Sequence, residues 1–262
     1  MVESFSAEPP RLRVLEAVRE GWKAFSRAPW VFVGFTLLLT AVNGVCSSLQ
    51  NLGINDKGEI THPSLLVLSL VGSLAGVVVS LWGSVAMVRG SWNALEGGTP
   101  SFSTFVRWDG AALWRLLRNG LVLGLVVVAM GVVAALLAVG AFQLSQVLVA
   151  VPVLALMVVI VYLAVTQKFL TQVSLLEGSG PIEAIQRGRR VVDPQWWEVF
   201  LLALVEAGVL LLGLLACFLG VFVAIPVVSC IGTAAYRQIF GTEDRTGLMA
   251  GGEGDTGGTS LV

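Results

Sequence analysis

Residues 181–216 read PIEAIQRGRRVVDPQWWEVFLLALVEAGVLLLGLLA and contain a basic amphipathic segment, a pair of tryptophans and an apolar run. An Arg-bearing helix with an apolar face suits the headgroup region of a membrane, and Trp is enriched at the membrane–water interface. An apolar run of about 20 residues is long enough to cross the hydrocarbon core. The stretch therefore predicts a helix on the membrane surface followed by a helix across the membrane.

Apolar runs of this kind recur along the whole chain, in which hydrophobic residues make up 56% of 262. About six runs reach the length of roughly 20 residues that a transmembrane helix needs. Together they leave no room for a separate soluble domain. We therefore expect an all-α integral membrane protein, with six transmembrane helices in three hairpins forming one domain over 1–240. The expected spans lie near residues 30–50, 65–89, 119–139, 144–168, 197–216 and 218–238.

The basic residues predict how the chain threads through the membrane. Every Lys and Arg except Lys57 lies before the first span, in the connections between the second and third or the fourth and fifth spans, after the sixth span, or at the span ends that adjoin these segments. Because cytoplasmic loops collect Lys and Arg, we expect both termini in the cytoplasm. The polar and amphipathic stretch before the first span is too long for the basic region of a signal peptide, so that span is expected to be retained.

Residues 11–27 are expected to form an amphipathic helix at the cytoplasmic surface of the membrane. Its apolar face carries, at helical spacing, Leu15, Val18, Trp22 and Phe25. Such a face suits the headgroup region, and packing against a partner protein is the alternative. The interfacial anchors expected from the whole sequence are Trp22, Phe25, Trp30, Trp196 and Trp197.

The segment before the fifth span repeats the start of the chain. Residues 15–18 (LEAV) resemble residues 182–185 (IEAI), and the same offset aligns Trp30 with Trp197. A weaker copy begins at Pro100, for which chance similarity is the alternative. A fixed internal period indicates a repeat architecture. We expect three pseudo-repeats, each a surface helix followed by a hairpin, over about 11–92, 99–168 and 181–240.

Glu206 is the one acidic residue expected deep inside a span. It lies beyond Trp197 by about 14 Å, at 1.5 Å per helical residue. Intramembrane carboxylates are functional candidates by default. A proton-coupled site could be built from polar residues at similar depth, which are Thr40, Asn43, Ser80, Ser229 and Cys230. The alternative is a structural, protonated Glu206, because the sequence indicates no second ionisable residue at that depth.

No catalytic residue, cofactor site or metal site is expected from the remaining residues. Asp56, Glu59 and His62 have the spacing of metal ligands on a helix, but Gly58 disfavours a helix there. The sequence contains no phosphate-binding loop, nucleophile elbow or zinc motif. The basic residues are scattered among tryptophans, which is typical of interfacial anchoring rather than of nucleic-acid binding.

Two of the three cysteines are expected near the outer face of the membrane. Cys46 and Cys217 would be able to form a disulfide there. The alternative is that both, like Cys230, are small apolar side chains in packed helices.

Residues 241–262 form a Gly-rich acidic tail. Because the tail has few apolar residues to bury, we expect it to be disordered.

Several of these motifs together resemble a known group of proteins. They are Gly21-Trp22, Pro29-Trp30, the PIEAI segment at 181–185 and Tyr236-Arg237. The pattern resembles a loose group of bacterial six-span inner-membrane proteins of uncharacterised function. The group includes the membrane domain that precedes the catalytic domain in some glycerophosphodiester phosphodiesterases. The resemblance implies the bacterial cytoplasmic membrane, and it carries over no activity, because this chain shows no phosphodiesterase domain.

The leading expectation for function is a non-enzymatic inner-membrane protein that organises lipid or a partner protein. The alternative is a small proton-coupled transporter that uses Glu206. An intramembrane enzyme is a third reading, which would need at least a paired acid and base. The expected partners are membrane lipid and either another protein or a second copy, since small residues at every fourth position favour close helix packing. No nucleic-acid partner is expected.

Overall fold

The computed structural model describes residues 11–51, 63–216 and 219–250. Within these ranges the chain is helical and contains no strand, which confirms the predicted all-α class. The helices are α1 Val14–Phe25, α2 Pro29–Asn51, α3 Pro63–Leu95, α4 Phe102–Val106, α5 Gly110–Leu144, α6 Ala150–Thr166, α7 Leu170–Leu176, α8 Pro181–Val192, α9 Trp196–Leu215 and α10 Val221–Phe240.

Six helical segments of the described ranges are long and apolar enough to cross a membrane. They are Pro29–Asn51, Leu65–Leu95, Gly110–Gln143, Gln146–Leu176, Pro181–Leu215 and Val221–Phe240. The predicted six-span architecture is therefore confirmed, and the protein is a multi-pass membrane protein by helix length and composition.

Two of the helices are longer than a bilayer requires. α3 has 33 residues and α5 has 35. At 1.5 Å per residue each is about 50 Å long, against roughly 30 Å of hydrocarbon. Most residues at the C-terminal end of α3, and several in the first two turns of α5, are buried among other helices, and these two helix ends lie at the same end of the molecule.

The hydrophobic core lies at that end of the molecule, which we call the cap. There α1, α4, α7 and α8 surround the ends of the long helices. Its largest fully buried side chains include Trp92, Tyr236, Phe32, Phe35, Phe105 and Phe169. The ring of Phe32 meets that of Phe105 edge-on at 5.1 Å between centroids. Toward the other end the helices expose mainly aliphatic side chains, as lipid-facing helices do.

Helix α1 packs on α10 through small residues rather than through its large apolar face. Ala17, Gly21 and Ala24 are buried against α10, whereas Leu15 remains exposed. Phe25 is buried in the cap, where its ring lies 5.9 Å from that of Phe32. The expectation that Phe25 is an interfacial anchor is therefore wrong, because close approach of the small residues turns Phe25 inward.

The other expected anchors lie at the surface of the chain. Trp30 and Trp197 are 85% and 72% exposed, and Trp22 is also exposed. Trp196 is instead partly buried against the core, and its ring stacks on that of Phe200 at 5.2 Å between centroids. These positions are compatible with membrane anchoring, which stays a prediction.

The beginning of the tail is ordered, contrary to expectation. The Thr246 hydroxyl donates a 2.6 Å hydrogen bond to the Leu175 carbonyl, and the Arg245 amide donates a 2.8 Å bond to the Leu176 carbonyl. Leu248 is buried in the cap. One apolar side chain and a few backbone hydrogen bonds thus dock residues 241–250, while 251–262 lie outside the described residues.

Each short amphipathic helix packs on the second span of another hairpin. α4 contacts α3 through Phe105 and Gly90, α8 contacts the α6–α7 segment through Gly188, and α1 contacts α10. Through its contact with α10, α1 therefore connects the first hairpin to the last one. The three predicted pseudo-repeats would give such an arrangement, but the contacts alone do not test the repeat, which stays a prediction.

Candidate functional site

The candidate site is an ion pair between two spans. The fourth span is interrupted at 167–169, between α6 and α7, and Lys168 lies in this break. The Lys168 Nζ atom contacts the Glu206 Oε2 atom on α9. The expectation that Glu206 has no ionisable neighbour is therefore wrong, whereas the expectation that Lys168 lies on the cytoplasmic side stays a prediction.

Both members of the pair are shielded from solvent. The Lys168 side chain is 15% exposed and the Glu206 side chain is 8% exposed. Glu206 faces the interior of the helix bundle, as its position in the sequence indicated. We expected Glu206 to be protonated because the sequence indicated no cation nearby, but Lys168 lies beside it. Removing either partner would leave a buried charge without compensation.

Only one oxygen of the Glu206 carboxylate has a hydrogen-bond partner among the described residues. Its Oε1 atom has no hydrogen-bond partner among the described residues, and neither does the Oε1 atom of Gln172. A Cβ atom at Gly232 would lie 3.7 Å from both the Gln172 Nε2 and the Glu206 Oε1 atoms, so these side chains converge on α10. Glu206 thus keeps an oxygen that can accept a further hydrogen bond or a proton.

Lys168 also lines a polar groove of about 510 Å³ between α2, α3, α7 and α10. Its polar lining residues are Thr36, Thr40, Asn43, Ser80, Ser84, Lys168, Thr171, Gln172 and Ser229. Four residues predicted at the depth of Glu206 belong to this set. The fifth, Cys230, instead lies 3.4 Å from the Ser91 hydroxyl, measured from its Sγ atom. The groove is therefore continuous, through Lys168, with the ion pair.

Several groove hydroxyls donate to the backbone of their own helix. Thr36 donates to the Phe32 carbonyl and Thr40 to the Thr36 carbonyl, each at 2.9 Å. The donors are thus used, while the hydroxyl oxygens keep acceptor capacity. Within the groove Lys168 is the cationic group, so the lining fits a polar or anionic solute better than a hydrocarbon chain.

Sequence reasoning missed Lys168 and Gln172 because it ended the fourth span at residue 168. The signal was present, since the apolar residues of 169–176 (FLTQVSLL) continue the run beyond Lys168. A Lys inside such a run, flanked by Gln167, is a candidate for an intramembrane position.

Other expectations concern residues that the structure describes only in part. Cys46 and Cys230 are free thiols, and Cys217 lies outside the described residues, as do Asp56, Glu59 and His62. Within the described ranges no group of three His, Cys, Asp or Glu side chains is arranged to hold a metal ion. The absence of a catalytic, cofactor or metal site stays a prediction.

Comparison with protein-family models matches residues 12–247 to a family described as a domain of unknown function, DUF7847. Searches among curated proteins and among solved structures found no match. The family match gives no link to glycerophosphodiester phosphodiesterases, so that part of the resemblance is not supported. Since the match covers all six candidate spans completely, the chain belongs to the DUF7847 family.

Proposed function

We propose that the protein moves a polar, preferably anionic, solute across the membrane and couples this movement to protons through Lys168 and Glu206. The observation that supports the proposal is the contact of Lys168 Nζ with Glu206 Oε2 beside a polar groove. The leading expectation from the sequence, a scaffold, depended on Glu206 having no ionisable neighbour. With Lys168 beside it, transport becomes the better-supported reading.

The pair offers a physical route to coupling. An anionic solute in the groove would compete with Glu206 for the Lys168 ammonium group. A Glu206 carboxylate that loses its cation in a buried site would take up a proton, because an unpaired buried charge is costly. Binding of the anion and uptake of the proton would therefore occur together, and the charge of the site would stay constant.

The orientation of this site follows from the basic residues. Arg and Lys side chains of the cap support placing that end in the cytoplasm. On this proposal both termini are cytoplasmic and the protein resides in a bacterial inner membrane. It acts without covalent catalysis, and its partners are membrane lipid and a solute rather than nucleic acid.

The test is complementation of a deletion strain with matched variants. Glu206→Gln keeps the shape of the side chain and cannot carry a proton, so it should abolish the cellular role. An immunoblot of the membrane fraction checks that the variant is still present, since Lys168 loses its charged partner. Glu198→Gln, on the exposed face of the same helix, is the control and should retain it. Proteoliposomes containing each protein and a trapped pH-sensitive dye should then be assayed for proton uptake on addition of inorganic phosphate or glutamate. Full activity of Glu206→Gln would overturn the proposal.

The second candidate function is organisation of lipid or of a partner protein, as the sequence first favoured. The observation that supports it is the exposed face of α1, on which Leu15 and Trp22 stand beside Arg19 and Lys23. Such a face binds a membrane surface or a protein groove. Loss of the cellular role in a Leu15→Ser/Trp22→Ser variant, together with full activity of Glu206→Gln, would favour this function over transport.

A further inference from the structure

A second polar cavity lies in the cap, separate from the groove at Lys168. It measures about 890 Å³ and lies between the C-terminal end of α3, the α4 segment and the ordered start of the tail. Its polar lining includes Arg89, Arg107, Asn93, Ser101, Ser103 and Thr104. Two guanidinium groups therefore line one cavity, and like charges in a partly buried space are unfavourable unless an anion lies between them.

Arg89 is the most buried of these cationic groups. Its side chain is 4% exposed, and its Nη1 atom donates a 2.9 Å hydrogen bond to the Arg107 carbonyl. The Nε and Nη2 atoms have no hydrogen-bond partner among the described residues. Buried guanidinium groups normally satisfy their donors, because an unpaired buried donor is costly. Arg89 thus keeps two buried donors without a hydrogen-bond partner, in a side chain that lines the cavity.

The nearby carboxylates do not satisfy these donors. Asp109 Oδ2 lies 3.9 Å from Arg89 Nη2, too far for a hydrogen bond, and Asp109 Oδ1 accepts from the Ala112 amide at the start of α5. Glu96, which also lines the cavity, accepts from the Trp92 indole at 2.8 Å. Each acidic residue therefore accepts a hydrogen bond from another donor, and Asp109 balances the charge of Arg89 only as an ion-pair partner at 3.9 Å.

The opposite wall supplies hydroxyl groups. Ser101 Oγ lies 2.7 Å from Ser103 Oγ and 3.2 Å from Thr104 Oγ1. Hydroxyls that now hydrogen-bond one another can turn to donate to an oxyanion. Two guanidinium groups with several hydroxyls fit the oxygens of a phosphoryl group, which accepts several charge-assisted hydrogen bonds at once.

We propose that this cavity binds a phosphoryl group, held by Arg89 and Arg107 and by the hydroxyls of Ser101 and Ser103. Its volume of about 890 Å³ leaves room for a molecule larger than free phosphate, so the phosphoryl group can belong to a phosphorylated solute or to a lipid headgroup at the membrane surface. The inference does not depend on the transport site, since no residue of the groove lines this cavity.

The test uses the full chain in nanodiscs and two probes. Inorganic phosphate is titrated by calorimetry against protein in pure phosphatidylcholine nanodiscs. Phosphatidic acid diluted in phosphatidylcholine is the second probe, and its retention on the protein is measured by native mass spectrometry. Each probe is applied to wild type, Arg107→Gln, Ser103→Ala and Arg190→Gln, where Arg190 is an exposed arginine of α8 outside the cavity.

Binding of either probe should weaken roughly tenfold or more in Arg107→Gln, as expected for loss of a hydrogen bond to a charged group. Ser103→Ala should weaken binding less, and Arg190→Gln should match wild type. If the cavity variants weaken only the binding of inorganic phosphate, the ligand is a soluble molecule. If they weaken only the binding of phosphatidic acid, the ligand is a lipid headgroup. If Arg107→Gln does not fold, the test is the comparison of probe binding between Ser103→Ala and wild type. Failure of both probes to bind, or equal binding by the cavity variants and Arg190→Gln, overturns the inference.

Discussion

Gly21 of α1 lies directly against the backbone of Ile231 in α10. A Cβ atom at position 21 would stand 2.6 Å from the Ile231 Cα atom, which is closer than side chains tolerate. The contact joins α1 to α10, which are the first and last helices of the described residues. Glycine allows such an approach in membrane proteins because no side chain separates the two backbones.

Gly21→Ala is therefore expected to destabilise the fold by about 1–3 kcal/mol, the usual range for an overpacked site. Gly34→Ala is the matched control, since a Cβ atom there would meet nothing within 4 Å. Alanine is a better helix former than glycine, so the control should be neutral or stabilising by about 1 kcal/mol. Thermal unfolding of both proteins in the same detergent measures the difference, and equal unfolding temperatures would contradict the close contact.

Lys168→Met and Glu206→Met are each expected to destabilise the protein by about 3–5 kcal/mol, because each leaves one buried charge without its partner. The double variant should recover most of this loss, since an apolar pair replaces the ion pair. Unfolding measurements on all four proteins complete the double-mutant cycle. Additive losses would mean that the two side chains do not interact.

Phe25→Ser and Trp22→Ser should behave differently, although the sequence places both on one apolar face. Phe25→Ser removes a buried ring and is expected to cost about 3–5 kcal/mol. Trp22→Ser should leave the unfolding temperature almost unchanged, because the Trp22 ring is exposed. Thermal unfolding separates the two. Equal losses would show that α1 is rotated differently on α10.

Asp244 is expected to hold the start of the tail in place. Burial raises the pKa of Asp244, but hydrogen bonds from the Met249 and Thr246 amides outweigh it and set the pKa below the ordinary 3.8. A carboxyl with a depressed pKa stabilises the fold above its ordinary value and loses this effect as pH falls toward the folded pKa.

Asp244→Asn should therefore expose the 244–249 segment to proteolysis at neutral pH, with a control at the exposed Glu243→Gln. Wild type should stay protected at neutral and mildly acidic pH and lose protection only below about 3.8. Cleavage of wild type near neutral pH would show that Asp244 does not hold this segment.

Reporter fusions test the threading of the chain. Fusions after residues 100 and 185 should report the cytoplasm, and a fusion after residue 142 should report the opposite side, because the basic residues collect in alternate connections. A phosphatase reporter active outside and a fluorescent reporter active inside give opposite readouts. An outside signal at residue 100 or 185 would refute this topology.

The sequence by itself determined the class and the span count. The length of an apolar run and the positions of Trp and basic residues are local properties of the sequence. Each can be compared directly with the fixed thickness of the bilayer. Glu206 was identifiable as a buried candidate for the same reason, since its distance along one helix from Trp197 sets its depth. The break at Lys168 was not predictable in this way, because no Pro or Gly lies beside it. The ordered start of the tail was not predictable either, because its Gly-rich composition indicates disorder, whereas its docking depends on hydrogen bonds to Leu175 and Leu176.

Only the tertiary structure decided which side chains meet. The rotation of α1, which buries Phe25 and exposes Leu15, is set by how closely Gly21 approaches Ile231. The pairing of Lys168 with Glu206 depends on the crossing of two spans far apart in the chain. Local sequence patterns specify how each helix sits in the bilayer, whereas the contacts between helices depend on rotations and crossings that arise only when all the helices pack together.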